Sequence, residues 1–279
     1  MHTALRLDAR EPYLDHHRPG ALPLLGTAMG VALLSRFAVP LLSEPDAEPG
    51  RYLVISDLTI GPSLQVAGDG ADVAVSTTTA VGAGSPTVHA GLSSVADKLT
   101  VDHYQADFAH ARMTRTPRSR SGTTAPRDTV AAAHIYELFF HGPAFRVVAA
   151  AGLARDAMVG RAGAVPALTR HPARVDPVDP VVVELAMQTA GLLDVATRRR
   201  MMIPASLARL EYDDQPRAVD AELTAMATRI GSSDAFDVDV FADDRWCLSI
   251  IGYCTRPLPF PAPTAGIERL ADEFARRAT

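Results

Sequence analysis

Two long apolar runs, each introduced by a proline, constrain this chain more than anything else in it. After Pro23 comes LLGTAMGVALLSRFAVPLL, Leu24 to Leu42, and far along the chain DPVVVELAMQTAGLLDVATRRR, Asp179 to Arg200. Both are too long for strands and apolar on nearly every side, the pattern of helices buried in a fold. Pro40 should end or kink the first. Asp179 suits the cap of the second and Pro180 its first helical position, while Arg198, Arg199 and Arg200 suit the negative end of its dipole. Each run is followed by segments of strand character. YLVISDLTI, LQVAG, DVAVSTTTA and VDHYQADFAHARM follow the first; IPASLARLEY, AELTAMATRI, FDVDVFAD and WCLSIIGYCT follow the second. The tail GIERLADEFARRAT reads as a short amphipathic helix.

One plan, a turn, a buried helix and then several strands, is therefore stated twice. A double hotdog would produce it: an α+β fold of two units, each a long antiparallel sheet curled round a central helix, with the two sheets joined. Two unrelated α+β domains are the alternative. The expected division is a first unit over residues 1–113, a linker or exposed loop over 114–129, and a second unit over 130–279. The linker segment, TRTPRSRSGTTAPRDT, is polar, basic and rich in turn formers. It is either an ordinary solvated loop or a basic face for an acidic partner.

The net charge of −5 argues against a nucleic-acid binder, which needs an excess of Lys and Arg to neutralise phosphates. Cys247 and Cys254 are too few for a disulfide framework or a cysteine zinc site, and read as small buried hydrophobes. The first fifteen residues are mixed and charged, unlike a secretory signal, and no apolar run reaches the ~20 residues that span a bilayer. These features lead to the expectation of a soluble cytoplasmic protein with no membrane partner.

Three places carry candidate chemistry. In YLDHHRPG, a His in the turn before a buried helix would stand at the edge of an apolar pocket, where a base is useful near neutral pH. Polar turns also hold histidines for no catalytic reason. Glu184 sits among Val181, Val182, Val183, Leu185 and Met187. A buried carboxyl there should have a raised pKa and stay protonated as an acid, with Gln188 one turn along the same face. A Glu on the solvent face with Gln188 beside it is the alternative. In YELFFHGPAF, Tyr136 to Phe145, aromatic residues crowd a His-Gly-Pro turn, either a strand end over the core or a pocket wall with His141 and the Gly142 backbone facing a ligand. No phosphate loop, nucleophile elbow or zinc-type histidine pairing competes.

Together, DHHRPGALPLLGTAMG, FHGPAF and ELAMQTAGLL resemble the dehydratase domains of polyketide synthases, most of all the branch found with enediyne and polyunsaturated-fatty-acid synthases. That family carries a His-x-x-x-Gly-x-x-x-x-Pro motif, a Gly-Pro-x-Phe/Tyr motif and an Asp-x-x-x-Gln/His motif in this order. Here Glu184 stands at the acid position. Reading the first motif from His17 keeps the flanking residues in step but puts Ala21 at the Gly position and Gly26 at the Pro position. Reading from His16 keeps Gly20 in place but puts Leu25 at the Pro position. The His17 register is the one adopted.

The resemblance implies a double hotdog and loss of water from a β-hydroxyacyl thioester on an acyl carrier protein. In it His17 is the base, Glu184 the acid and Gln188 the orienting residue. Tyr136, His141, Gly142, Pro143 and Phe145 form the substrate wall, and no metal or organic cofactor is needed. The acidity of carrier proteins makes Arg112, Arg115, Arg118 and Arg120 candidate docking residues. A discrete enzyme acting in trans, monomeric or homodimeric, is expected. Isomerisation or cyclisation of the same thioesters, or non-catalytic acyl binding, are the alternatives.

Overall fold

The computed structural model describes residues 1–19, 22–42, 50–81, 86–118, 126, 128–155, 157–163, 176–215 and 221–278. The first half of the chain forms β1 (His2–Leu7), α1 (Pro12–Asp15), α2 (Thr27–Ala38), β2 (Arg51–Ile60), β3 (Ala71–Ala80), β4 (Thr87–Ala96) and β5 (Leu99–Arg112). The second forms β6 (Val130–Ala131), α3 (Ala132–Ile135), β7 (Val148–Ala154), β8 (Ala157–Ala162), α4 (Pro180–Arg198), β9 (Met202–Tyr212), β10 (Leu223–Arg229), β11 (Ala235–Ala242), β12 (Arg245–Pro257) and α5 (Thr264–Ala278). All twelve strands make one antiparallel sheet in the order β1-β3-β4-β5-β2-β9-β12-β11-β10-β8-β7-β6. Strands from the two halves meet at β2 and β9, in a register running from Leu53 opposite Tyr212 to Thr59 opposite Ser206.

Both apolar runs form helices, the first only from Thr27 onward. The first ends in a 3-10 turn over Val39–Leu41 that contains Pro40. The second starts as its sequence indicates: Asp179 Oδ1 accepts the Val181 N–H at 2.9 Å, and Pro180 takes the first position. Three consecutive valines are poor helix formers, yet Val181, Val182 and Val183 are fully buried, and burial overrides propensity here. Contrary to the expectation from run length, α4 is long and apolar enough to span a bilayer, but 83% of its apolar window is buried inside the fold, so that apolarity serves the core. α2 packs on β3, β4 and β5, α4 on β7 to β12, and the two helices touch each other.

Some expectations need correction. Leu64–Gly68 is not a strand: the segment makes only isolated bridges, Leu24 to Gln65 and Ala67 to Gly70. β1, β4, β6, β7 and β8 have no counterpart among the expected strands. β7 (VAAAGLA) and β8 (AMVGRA) consist largely of Ala and Gly, which carry little β signal. Their pairing partners place them instead, and Gly160 of β8 lets Thr189 of α4 approach so closely that any Cβ would lie 2.3 Å from its hydroxyl.

The start of the segment expected as a linker lies against the sheet. Thr114 donates its N–H and hydroxyl to Glu211, at 2.7 and 2.9 Å. Arg115 makes a two-pronged ion pair with Asp239, which is 1% exposed and also accepts the Arg118 N–H. Buried carboxylates hold the strap down, and the Arg115 guanidinium faces inward rather than toward a partner. Arg118 is exposed, Arg112 sits at the end of β5, and Arg120, like Gly20 and Ala21, lies outside the described residues.

Candidate active site

The turn after α1 is fixed by backbone bonds on both sides. His17 donates its N–H to Leu14 O at 3.1 Å and accepts from Leu24 N at 2.9 Å. It also forms an isolated antiparallel bridge with His141, tying the first motif to the aromatic segment. The two histidines then diverge. His16 is used locally: its carbonyl accepts the Gly142 N–H at 2.7 Å and its Nδ1 accepts the Ala144 N–H at 3.0 Å. Gly142 is needed for this approach, because a Cβ there would lie 2.8 Å from His16 Cβ. His17 faces a cavity of about 130 Å³ that it shares with Glu184.

The His17 ring is wedged between Phe140, Phe145 and His141, with centroids at 5.3, 5.2 and 5.5 Å. On its remaining side a Cβ at residue 26 would come within 3.4 Å of the ring, so Gly26 leaves the space His17 occupies. Burial, then the neighbouring His141, push the His17 pKa down to about 4, against a smaller opposing effect of Glu184. His17 is therefore a neutral imidazole at neutral pH, the form that can accept a proton.

Glu184 projects from the first turns of α4 and is 5% exposed. Its Oε1 accepts from Gln188 Nε2 at 2.7 Å, and His141 Nε2 stands 3.3 Å from the same oxygen. No protein donor among the described residues reaches Oε2. Gln188 is itself held on all sides: Nε2 also donates to Phe145 O at 2.8 Å, and Oε1 accepts from the Tyr136 hydroxyl at 2.7 Å. Tyr136 in turn accepts the Val148 N–H at 2.9 Å. Both Nε2 hydrogens of Gln188 are engaged, one of them on Glu184, so toward the cavity it lines the residue has only the second lone pair of Oε1 to offer.

The Glu184 pKa does not rise as its apolar neighbours along the helix predict. Burial does push it up, but the His141 and Gln188 donors and the proximity of His17 together outweigh burial, and the net direction is downward. Hydrogen bonds to the charged form stabilise it.

The substrate wall also differs from expectation. His141 lines the cavity, whereas Tyr136, Gly142, Pro143 and Phe145 stand behind it. Gly142 has given its N–H to His16, Pro143 opens a 3-10 turn, and Tyr136 and Phe145 hold Gln188. The segment follows α3 as a turn, an isolated bridge at His141 and a 3-10 turn over Pro143–Phe145, rather than as a strand end. Residues that the sequence did not single out supply much of the lining, among them Tyr104, Met187, Gly191, Met202 and Tyr253. Alternation along β12 does not point to Tyr253, because a bulge at Gly252 shifts the parity set by Leu248 and Ile250. The N-terminus of α2 also opens on the cavity at Gly26 and Thr27, without a side-chain cap. Among the described residues no three His, Cys, Asp or Glu side chains are grouped to hold a metal ion.

The model of the polyketide synthase dehydratase N-terminal domain matches residues 109–265. The chain belongs to the polyketide synthase dehydratase family. No curated protein sequence matches it. Solved structures give the fold. The dehydratase domain from the CurF module of curacin polyketide synthase superposes with a TM-score of 0.76 at 12% identity, covering 91% of this chain and 92% of that one. The dehydratase domain of RzxB from Pseudomonas fluorescens gives 0.72 at 22% identity, covering 92% and 94%. The dehydratase domain of PpsC from Mycobacterium tuberculosis, in complex with C12:1-CoA, gives 0.69 at 17% identity, covering 91% and 93%. The fold is thus the double hotdog of these domains, and dehydration in polyketide synthesis is the family-level activity.

Proposed function

We propose that the chain removes water from a β-hydroxyacyl thioester carried on an acyl carrier protein, with His17 as base and Glu184 as acid. The convergence of these two side chains on one apolar cavity is the observation that carries this reading. Neutral His17 takes a proton from the carbon next to the thioester carbonyl. Glu184 delivers a proton to the departing hydroxyl through the carboxyl that Gln188 holds in place. The uncapped N-terminus of α2 beside His17 is suited to the charge that develops on the thioester oxygen. Leu25, Ile60, Met187, Met202, Ile203 and Phe260 give the acyl chain an apolar lining, consistent with the acyl-CoA bound by the PpsC domain. Of the candidate docking arginines, Arg118 fits a carrier surface better than Arg115. The division into units at 1–113 and 130–279 is kept as part of this reading.

The test is mass spectrometry of β-hydroxyacyl thioesters incubated with the chain and its variants. The wild type should form the enoyl product, and Glu184→Gln and His17→Ala should each abolish it while circular dichroism stays unchanged. Full turnover by both variants would overturn the assignment. An enoyl product would also reject pure isomerisation, and its absence with every substrate would favour a non-catalytic acyl-binding role.

A further inference from the structure

His141 is buried at the contact between the two candidate catalytic groups, and the scheme above gives it no part. Its ring stacks on Phe140 at 4.5 Å and 23°, and its Nε2 lies 3.3 Å from Glu184 Oε1. Its Nδ1 is buried with no hydrogen-bond partner among the described residues. The backbone bridge to His17 and the Arg146 bond to its carbonyl, 3.0 Å, fix the residue where it stands. A carboxyl surrounded by donors has a need that the scheme leaves open. Gln188 donates a hydrogen bond to Oε1 but cannot give up a proton, whereas a titratable group in contact with the same oxygen could supply the one that goes to the leaving hydroxyl. His141 is such a group.

We propose that His141 and Glu184 share one proton, and that His141 stores it while Glu184 is ionised. This inference rests on the dehydratase reading above. In the resting pair the imidazolium of His141 faces the carboxylate of Glu184. As the hydroxyl leaves, the Nε2–H bond of His141 breaks and the proton passes to the carboxyl. The carboxyl's O–H bond breaks as the leaving oxygen gains that proton, and water departs. The α-proton, meanwhile, has moved to His17, and its C–H electrons form the new double bond as the C–O electrons leave with oxygen. The enzyme ends with His17 protonated and the His141–Glu184 pair one proton short. His17 then returns its proton to solvent and the pair takes one back, so the cycle closes without any further reactant. The downward direction of the Glu184 pKa agrees with an ionised resting carboxyl.

Other groups set the field around the pair. His17 faces it from the first-motif turn, Tyr136 and Arg146 from the aromatic segment, and Tyr104, Tyr253 and Arg256 from β5 and β12 across the cavity. Tyr104, Tyr136 and Tyr253 have hydroxyl pKa values raised by burial and remain neutral. Among the described residues none of these groups hydrogen-bonds the Glu184 carboxyl, whereas His141 stands beside it.

The experiment compares His141→Gln, which keeps a donor but cannot hold the proton, with the wild type, across pH, using synthetic β-hydroxyacyl thioesters. His141→Gln should lower kcat by about 100-fold with KM within about twofold, as expected for losing a positioned proton donor. Its activity should rise as pH falls, because Glu184 must then be protonated directly. Unchanged kcat and pH profile in His141→Gln, with Glu184→Gln inactive, would overturn the inference and leave the dehydratase reading standing. An inactive wild type would count against that reading instead.

Nitrogen-15 NMR of the His141 ring tests the shared proton without turnover. An imidazolium in the wild type at neutral pH that becomes neutral in Glu184→Gln supports it. A ring that is neutral in both overturns it.

Discussion

Burying His17 as a neutral imidazole should make the fold acid-sensitive in a way that one substitution removes. The unfolded chain takes up a proton at His17 near 6.5, the folded chain only near 4. Between those values the unfolded state binds the extra proton, so stability falls as pH drops through that window and is fully present above it. The gap between 6.5 and about 4 corresponds to about 3 kcal/mol in full, of which about 2 kcal/mol is already lost at about pH 5. His17→Asn cannot titrate, so its stability relative to wild type should improve by about 2 kcal/mol on moving from about pH 8 to about pH 5. Urea unfolding of both proteins at the two pH values measures this difference of differences, in which the titrations shared by both proteins cancel. A change within about 0.5 kcal/mol would show that the ring is not held neutral by its packing against Phe140, Phe145 and Gly26.

Gly142→Ala would place a methyl 2.8 Å from His16 Cβ and displace the turn that carries His17. It should cost about 1–3 kcal/mol in urea unfolding and lower turnover, and wild-type behaviour in both would refute the close-approach argument. Gly191→Leu should leave the fold intact, since the nearest atom to a new Cβ is Phe139 Cζ at 3.5 Å, while filling part of the cavity. Kinetics over a series of acyl lengths should then show long-chain thioesters losing more than short ones, and an equal loss would place the chain elsewhere. Asp239→Ala leaves the half-buried Arg115 guanidinium without its partner and frees the strap after β5. A loss of about 3 kcal/mol is expected, and one below about 1 kcal/mol would mean that the strap is held by other contacts.

The motifs were legible because they are local. The two apolar runs had one stable use, burial, and Asp179 with Pro180 marked the start of α4 to the residue. Glu184 and Gln188 could be paired from helical spacing alone. Most strands with β-branched residues on alternate positions were also readable. Ala- and Gly-rich β7 and β8 were not, because a small side chain is compatible with many environments and its strand state is set by the neighbours across the sheet.

What the sequence by itself determined was the double plan, the family resemblance and a short set of candidate residues. The motif register favoured His17 of DHHRPG, but only tertiary structure shows which of the two rings faces the cavity. Adjacent residues in a turn point different ways, and the sequence carries no term for which way the cavity lies. Contact with the GPAF turn draws His16 to Gly142 and Ala144, leaving His17 against the rings that desolvate it. The charge state of Glu184 was decided in the same manner. Its apolar neighbours along α4 argue for a raised pKa, but the donors that reverse this, chiefly His141, arrive from a different part of the chain. A pKa responds to the groups around it in space, and only the folded chain brings those together.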